Sequence, residues 1–128
     1  MSYYISRTIE SRFDNALAKV VDALKGEGFG VLTDIDVAAT MKQKLGIEFR
    51  PYRILGACNP PLAHKALTAE DKVGVMLPCN VIVQEAGEGK VEVAAIDPRT
   101  AMESAGNPAL TDLANEVADK LARVISAI

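Results

Sequence analysis

Apolar positions at the start of the chain change from a loose alternation to a helical period. Residues 3–9 alternate and are rich in strand formers, which predicts a strand. After Ser11, apolar residues fall at Phe13, Ala16, Leu17, Val20, Val21 and Leu24, the spacing of one helix face, with Gly26 and Gly28 as stop signals. Ser11 and Asp14 are placed to cap its first turn. Residues 29–34 predict a second strand. Asp34 or Asp36 then caps a short helix that puts Val37, Ala38, Met41 and Leu45 on one face and ends at Gly46. Residues 51–58 predict a third strand, with Pro51 near its start where a missing donor is tolerated.

Asn59-Pro60-Pro61 has the form of a cap followed by proline at the first helical position, and predicts a short helix running through Leu67. The apolar run 72–85, the turn Gly87-Glu88-Gly89 and the run 90–96 predict a hairpin. Pro78 interrupts the first of these strands and implies a bulge there. Asp97-Pro98 ends the last strand, and a loop of about ten residues follows. Asn107-Pro108 then repeats the cap-plus-proline start of a helix whose stripe is Leu110, Leu113, Ala114, Val117, Ala118, Leu121, Val124 and Ile125. The order βαβαβαββα predicts an α/β (α+β) fold. A single two-layer domain over residues 1–128 has its helices packed on a mixed or mainly antiparallel sheet of about five strands. The hairpin excludes a purely parallel sheet.

Composition narrows the partners. The 128 residues suffice for one core, which is built from Ala, Val, Leu and Ile, since there are three Phe, three Tyr and no Trp. Fourteen basic against seventeen acidic side chains give a net charge of −3, with no basic cluster for a phosphate backbone, so no nucleic-acid partner is expected. No apolar run approaches a membrane span, and the start Met-Ser-Tyr-Tyr lacks the regions of a signal peptide, so a cytoplasmic protein with no membrane partner is expected. The two cysteines are then reduced thiols.

Candidate chemistry concentrates in residues 50–64 and 77–80, which hold both cysteines, the only histidine and four of the six prolines. Cys58 and Cys79 occupy similar settings, Ala-Cys-Asn-Pro and Pro-Cys-Asn-Val, and neighbouring strands bring them close. They read either as small buried hydrophobes or as a thiol pair in a cleft. Cys58 precedes a helix start, where the dipole favours a thiolate, although Pro60 and Pro61 remove two donors. Cys58, His64 and Asp97 are the candidate catalytic groups, with His64 or Asp97 as base. Their spacing is not that of a metal site, and no metal is expected. The glycines at 26, 28 and 30 precede a strand, unlike a dinucleotide loop. Arg50, Arg53 and Arg99 offer guanidinium forks to an anionic ligand or, more commonly, to exposed carboxylates.

The segments 28–36, 49–61, 77–80 and 95–98 resemble the bacterial and archaeal family known as domain of unknown function 302, the likeness running from about Gly28 through Ala101. The resemblance implies a compact α/β domain with an antiparallel-type sheet, often dimeric, and no agreed substrate or catalytic residue. It directs attention to Arg50, Tyr52, Cys58, Asn59, Pro60, Cys79, Asn80 and Asp97. Arg50, Tyr52, Cys58, Asn59, Cys79, Asn80 and Asp97 are therefore the candidate ligand-binding set, with the end of strand 51–58 and Pro78-Cys79-Asn80 lining one concave region. The expected function is a small-molecule or thiol-linked binding module in a homodimer, with no cofactor identified. The alternatives are an enzyme with a cysteine nucleophile and a structural dimer without ligand.

Overall fold

The computed structural model describes residues 2–128. Strand β1 (Tyr4–Glu10) leads into helix α1 (Phe13–Gly26), and β2 (Gly30–Asp36) into α2 (Val37–Leu45). Next come β3 (Tyr52–Cys58), α3 (Pro60–Ala69) and a 3-10 turn (Asp71–Met76). The hairpin β4 (Cys79–Glu85) and β5 (Lys90–Ile96) is followed by α4 (Pro98–Glu103), a short 3-10 turn (Pro108–Leu110) and α5 (Thr111–Ala127). The strands form one sheet in the order β1-β5-β4-β3-β2, and every pairing is antiparallel. The fold is α+β, helices on a five-stranded antiparallel sheet.

Strand period explains the layering. Val81 and Val83 of β4, Val91, Val93 and Ala95 of β5, and Leu55 and Ala57 of β3 alternate onto the face covered by helices, and all are buried. Helix α1 meets them with Ala16, Val20 and Leu24, and α5 with Val117, Leu121, Val124 and Ile125. A second cluster under α3 and α4 joins Ala66, Val73, Met102, Leu110 and Ala114. On the opposite face one row runs through register from strand to strand, Ile35–Ile54–Ile82–Ala94, and α2, which follows β2, has no buried residue. Among the described residues no helix is long and apolar enough to cross a membrane.

Several sequence expectations are corrected. The run 72–85 is not one strand: Asp71–Met76 makes a 3-10 turn in which Val73 is buried and Val75 is 89% exposed, and β4 begins only at Cys79. Gly74 and Pro78 break the extended path. The loop after β5 contains α4, because Asp97-Pro98 is the same cap-plus-proline signal as at positions 59–60 and 107–108, and the Asp97 carboxylate accepts from the Arg99 amide. Ser11 does not cap α1; its hydroxyl donates to the Arg12 carbonyl. Asp36 caps α2 through the Ala39 amide, and Gly46 ends it at φ 66°. The bulge lies in β2, where Leu32 is an extra residue between the pairs Val31–Ala57 and Thr33–Gly56, rather than at Pro78.

Candidate functional site

At the ends of β3 and β4 an apolar cavity of about 290 Å³ opens between the sheet and α3. Register creates it. Ala57 pairs with Cys79, Cys58 follows as the last residue of β3 before the chain leaves the sheet for α3, and both cysteines are among the residues that line the cavity. Leu62, Ala63, Ala66 and Leu67 of α3 form one wall and Leu113 and Val117 of α5 another, with Phe29 and Met102 between the elements. The β2 bulge re-aims Leu32 onto the rim. Leu32 and Leu67 there are 68% and 42% exposed.

Glycine at position 56 leaves room for Thr33 and Pro78 to pack against β3. A Cβ there would stand 2.8 Å from Pro78 Cγ and would also crowd Thr33, so any side chain would displace the proline that leads into Cys79. The Leu77–Pro78 peptide bond is cis.

The only polar side chains on the cavity wall are Cys58, Asn59 and Cys79; none of its lining residues is a carboxylate, imidazole, amine or guanidinium. Asn59 does not cap α3 as its position suggested. Its Nδ2 donates to the Glu27 carbonyl at 3.3 Å, and the Glu27 carboxylate accepts from Arg123 Nε at 2.9 Å. This chain of contacts ties the cavity edge to the α1–β2 turn and to α5, and leaves Asn59 Oδ1 free to accept among the described residues. Cys79 is 8% exposed, and its thiol makes no hydrogen bond among the described residues. Burial, with a smaller contribution from Cys58, pushes its thiol up to about 11. Cys58 is half-buried, and both cysteines are free thiols.

Gly28 matters to this arrangement for two reasons. Its φ is +85°, and a Cβ would lie 3.1 Å from Asn59 Nδ2. Gly28→Ala is expected to cost about 1–3 kcal/mol in urea unfolding from the backbone alone. The same change should perturb the Asn59 amide resonances; unchanged stability and spectrum would contradict this anchoring role.

The remaining sequence candidates are distributed elsewhere. His64 is exposed on α3 and does not line the cavity. Asp97 is buried at the end of β5, with Arg99 Nε and Nη2 donating to its two carboxylate oxygens at 3.0 and 2.9 Å. These hydrogen bonds hold its carboxyl below the ordinary carboxylate range. Asp97 is thus a helix cap and ion-pair partner, and it is not among the residues that line the cavity. Tyr52 and Asn80 lie on the other face of the sheet, along a shallow depression shared with Tyr4, Gln84 and Glu92. Arg50 lies over the Phe49 ring at 4.6 Å and donates to Gln84 Oε1. Arg53 pairs with Asp34 and Asp36. Cys58, Asn59 and Cys79 are therefore the only members of the candidate set that the fold brings together in the cavity. The walls were missed because Phe29, Leu62, Leu67 and Met102 carry the same apolar signal as core. Only the adjacent pair Val31-Leu32, out of step with strand alternation, marked the bulge.

The model of the family described as Domain of unknown function DUF302 matches residues 5–128, and the chain belongs to that family. The crystal structure of the uncharacterized conserved protein DUF302 from Bacillus stearothermophilus is similar to it with a TM-score of 0.92 at 26% identity, over 99% of this chain and 98% of that one. No curated protein matches the chain.

Proposed function

We propose that this DUF302 domain is a binding module for a small, uncharged, mainly apolar molecule, held in the cavity between α3 and the ends of β3 and β4. One observation carries the reading: a cavity of about 290 Å³ has apolar walls relieved only by two thiols and one amide. Its volume equals that of about ten waters at about 30 Å³ each and sits at the lower edge of the range of roughly 300–1,000 Å³ for ligand pockets. A charged ligand would lose its hydration without gaining a counter-charge, a loss that an apolar wall cannot offset. The exposed Leu32 and Leu67 extend the apolar surface to the mouth. A binder is favoured over a cysteine enzyme because neither His64 nor Asp97 is among the described residues that line the cavity. The two free thiols accord with a reducing, cytoplasmic setting.

The test uses 2-nonanone, an apolar ketone of suitable size. Saturating ligand is expected to stabilise the protein in thermal unfolding by up to about 2.7 kcal/mol at a hundredfold excess over Kd. Ala63→Phe, a change at a half-buried lining position of α3, should fill the cavity and remove the effect while the variant still unfolds cooperatively. Equal responses in the two proteins, or none in the wild type, would reject the reading.

The same reading includes a two-fold homodimer through the open sheet face. The row Ile35–Ile54–Ile82–Ala94 crosses four strands, with Ile35 49% exposed. A five-stranded face measures about 20 by 24 Å, or about 1,000 Å² for two copies together, the lower bound for a specific interface. Sedimentation at tens of micromolar is expected to give a dimer, and Ile82→Lys a monomer. A monomeric wild type contradicts the assembly without touching the cavity.

A further inference from the structure

We infer that Cys58 captures apolar α,β-unsaturated carbonyl compounds that enter this cavity, adding its sulfur to their double bond as a reversible thioether. The inference rests on the binding reading above and names the ligand class. Cys58 Sγ forms a bond to the β-carbon as the carbon–carbon π bond breaks. The electron pair passes to the carbonyl as an enolate, and the α-carbon then takes up a proton equivalent to the one lost from the thiol. No oxidant, metal or base fixed in the protein is needed, which suits a cavity walled without titratable groups other than thiols.

Three features converge on Cys58 rather than on its neighbour. It is half-buried and one of the residues lining the cavity, whereas Cys79 is 8% exposed and its thiol stays protonated at neutral pH. Only the thiolate is an effective nucleophile. Cys58 also lies directly before α3, a helix of ten residues whose N-cap side chain is turned away to Glu27, so no side chain caps its first turn. The amides of that first turn are thereby left without a side-chain acceptor, and Pro60 and Pro61 carry no amide N–H. The third feature is the pairing of an apolar cavity with a free amide oxygen on Asn59 and an unpartnered thiol on Cys79, which excludes ions and admits neutral carbonyl compounds.

The probe is trans-3-nonen-2-one, with 2-nonanone as its saturated counterpart. Intact-protein mass spectrometry is expected to show one adduct on the wild type and on Cys79→Ala, and none on Cys58→Ala. The rate should saturate with enone concentration, exceed that of glutathione at the same pH by at least about tenfold through prior binding, and fall when 2-nonanone is present. An adduct no faster than glutathione and indifferent to 2-nonanone, or one that forms on Cys79, overturns the inference. In that event thermal stabilisation by 2-nonanone, lost in Ala63→Phe, still upholds the cavity as a binding site. Loss of both signals rejects the two readings together. Cys58→Ser, nearly isosteric, guards against a folding defect in Cys58→Ala and should likewise form no adduct.

Discussion

Leu121→Ala is expected to lower the stability of the fold by about 2–5 kcal/mol in urea unfolding. Leu121 has no exposed surface and sits in the middle of α5, where it packs with Val117, Val124 and Ile125 onto the sheet residues Val91, Val93 and Ala95. Truncation there removes several methyl groups from contact and leaves a void that the flanking β-branched residues, stiff at χ1, fill poorly. Leu113 provides the internal comparison. It lies two turns earlier on the same helix, is half-buried, and faces a cavity already present, so Leu113→Ala creates less new void and should cost clearly less. Equal losses at the two positions would mean that α5 does not pack as described. The contrast also bears on function, because the stability of α5 depends on its C-terminal half while its N-terminal half is left to shape the cavity.

How much of this was legible in the chain varies from element to element. The stripe from Leu113 to Ile125 of α5 was legible from periodicity alone, whereas the cap-plus-proline start at Asn107-Pro108 opens a 3-10 turn that holds Leu110 before α5 begins at Thr111. The 72–85 run was misread for the converse reason. Val73 and Val75 look equivalent in sequence, yet one is buried and the other almost fully exposed, and only the placement of α3 and α4 around the turn decides which. At the site, the meeting of Cys58 with Cys79 followed from treating β3 and β4 as neighbours, a consequence of the hairpin and the chain order. Asn80 was placed wrongly by the same argument. Residues one apart on a strand point to opposite faces, so a strand that turns Cys79 toward the helices must turn Asn80 away from them. Tyr52 leaves the site by the same rule, on the open face with its register partner Gln84. Asp97 was drawn in by its position at a strand end, and its role is explained by the residue two places on, Arg99, which takes both carboxylate oxygens.

Cys79 should be nearly silent toward iodoacetamide in the native protein at pH 8, and its burial should appear as a loss of stability in alkali. A thiol held at about 11 instead of its ordinary 9.0 is ionised to about 0.1% at pH 8, against about 10% in the unfolded chain, so the thiolate population alone slows alkylation about a hundredfold. Below pH 9 both states keep the proton and the group adds no pH dependence. Between pH 9 and 11 the unfolded chain releases a proton that the native protein retains, so stability falls as pH rises through this window. By pH 10.5 the loss attributable to Cys79 reaches about 2 kcal/mol. Lysines and tyrosines titrate in the same window, which makes the difference from Cys79→Ala the decisive quantity. Urea unfolding at pH 8 and pH 10.5 should show the wild type losing about 2 kcal/mol more than the variant across that interval. Cys79→Ala starts from a lower value because it opens a small void, but the comparison concerns the change with pH, which the void does not alter. Identical pH dependence in the two proteins, together with two equally fast alkylation events in the wild type, would place Cys79 in contact with water. The division of labour between an outer reactive thiol and an inner protonated one would then be lost.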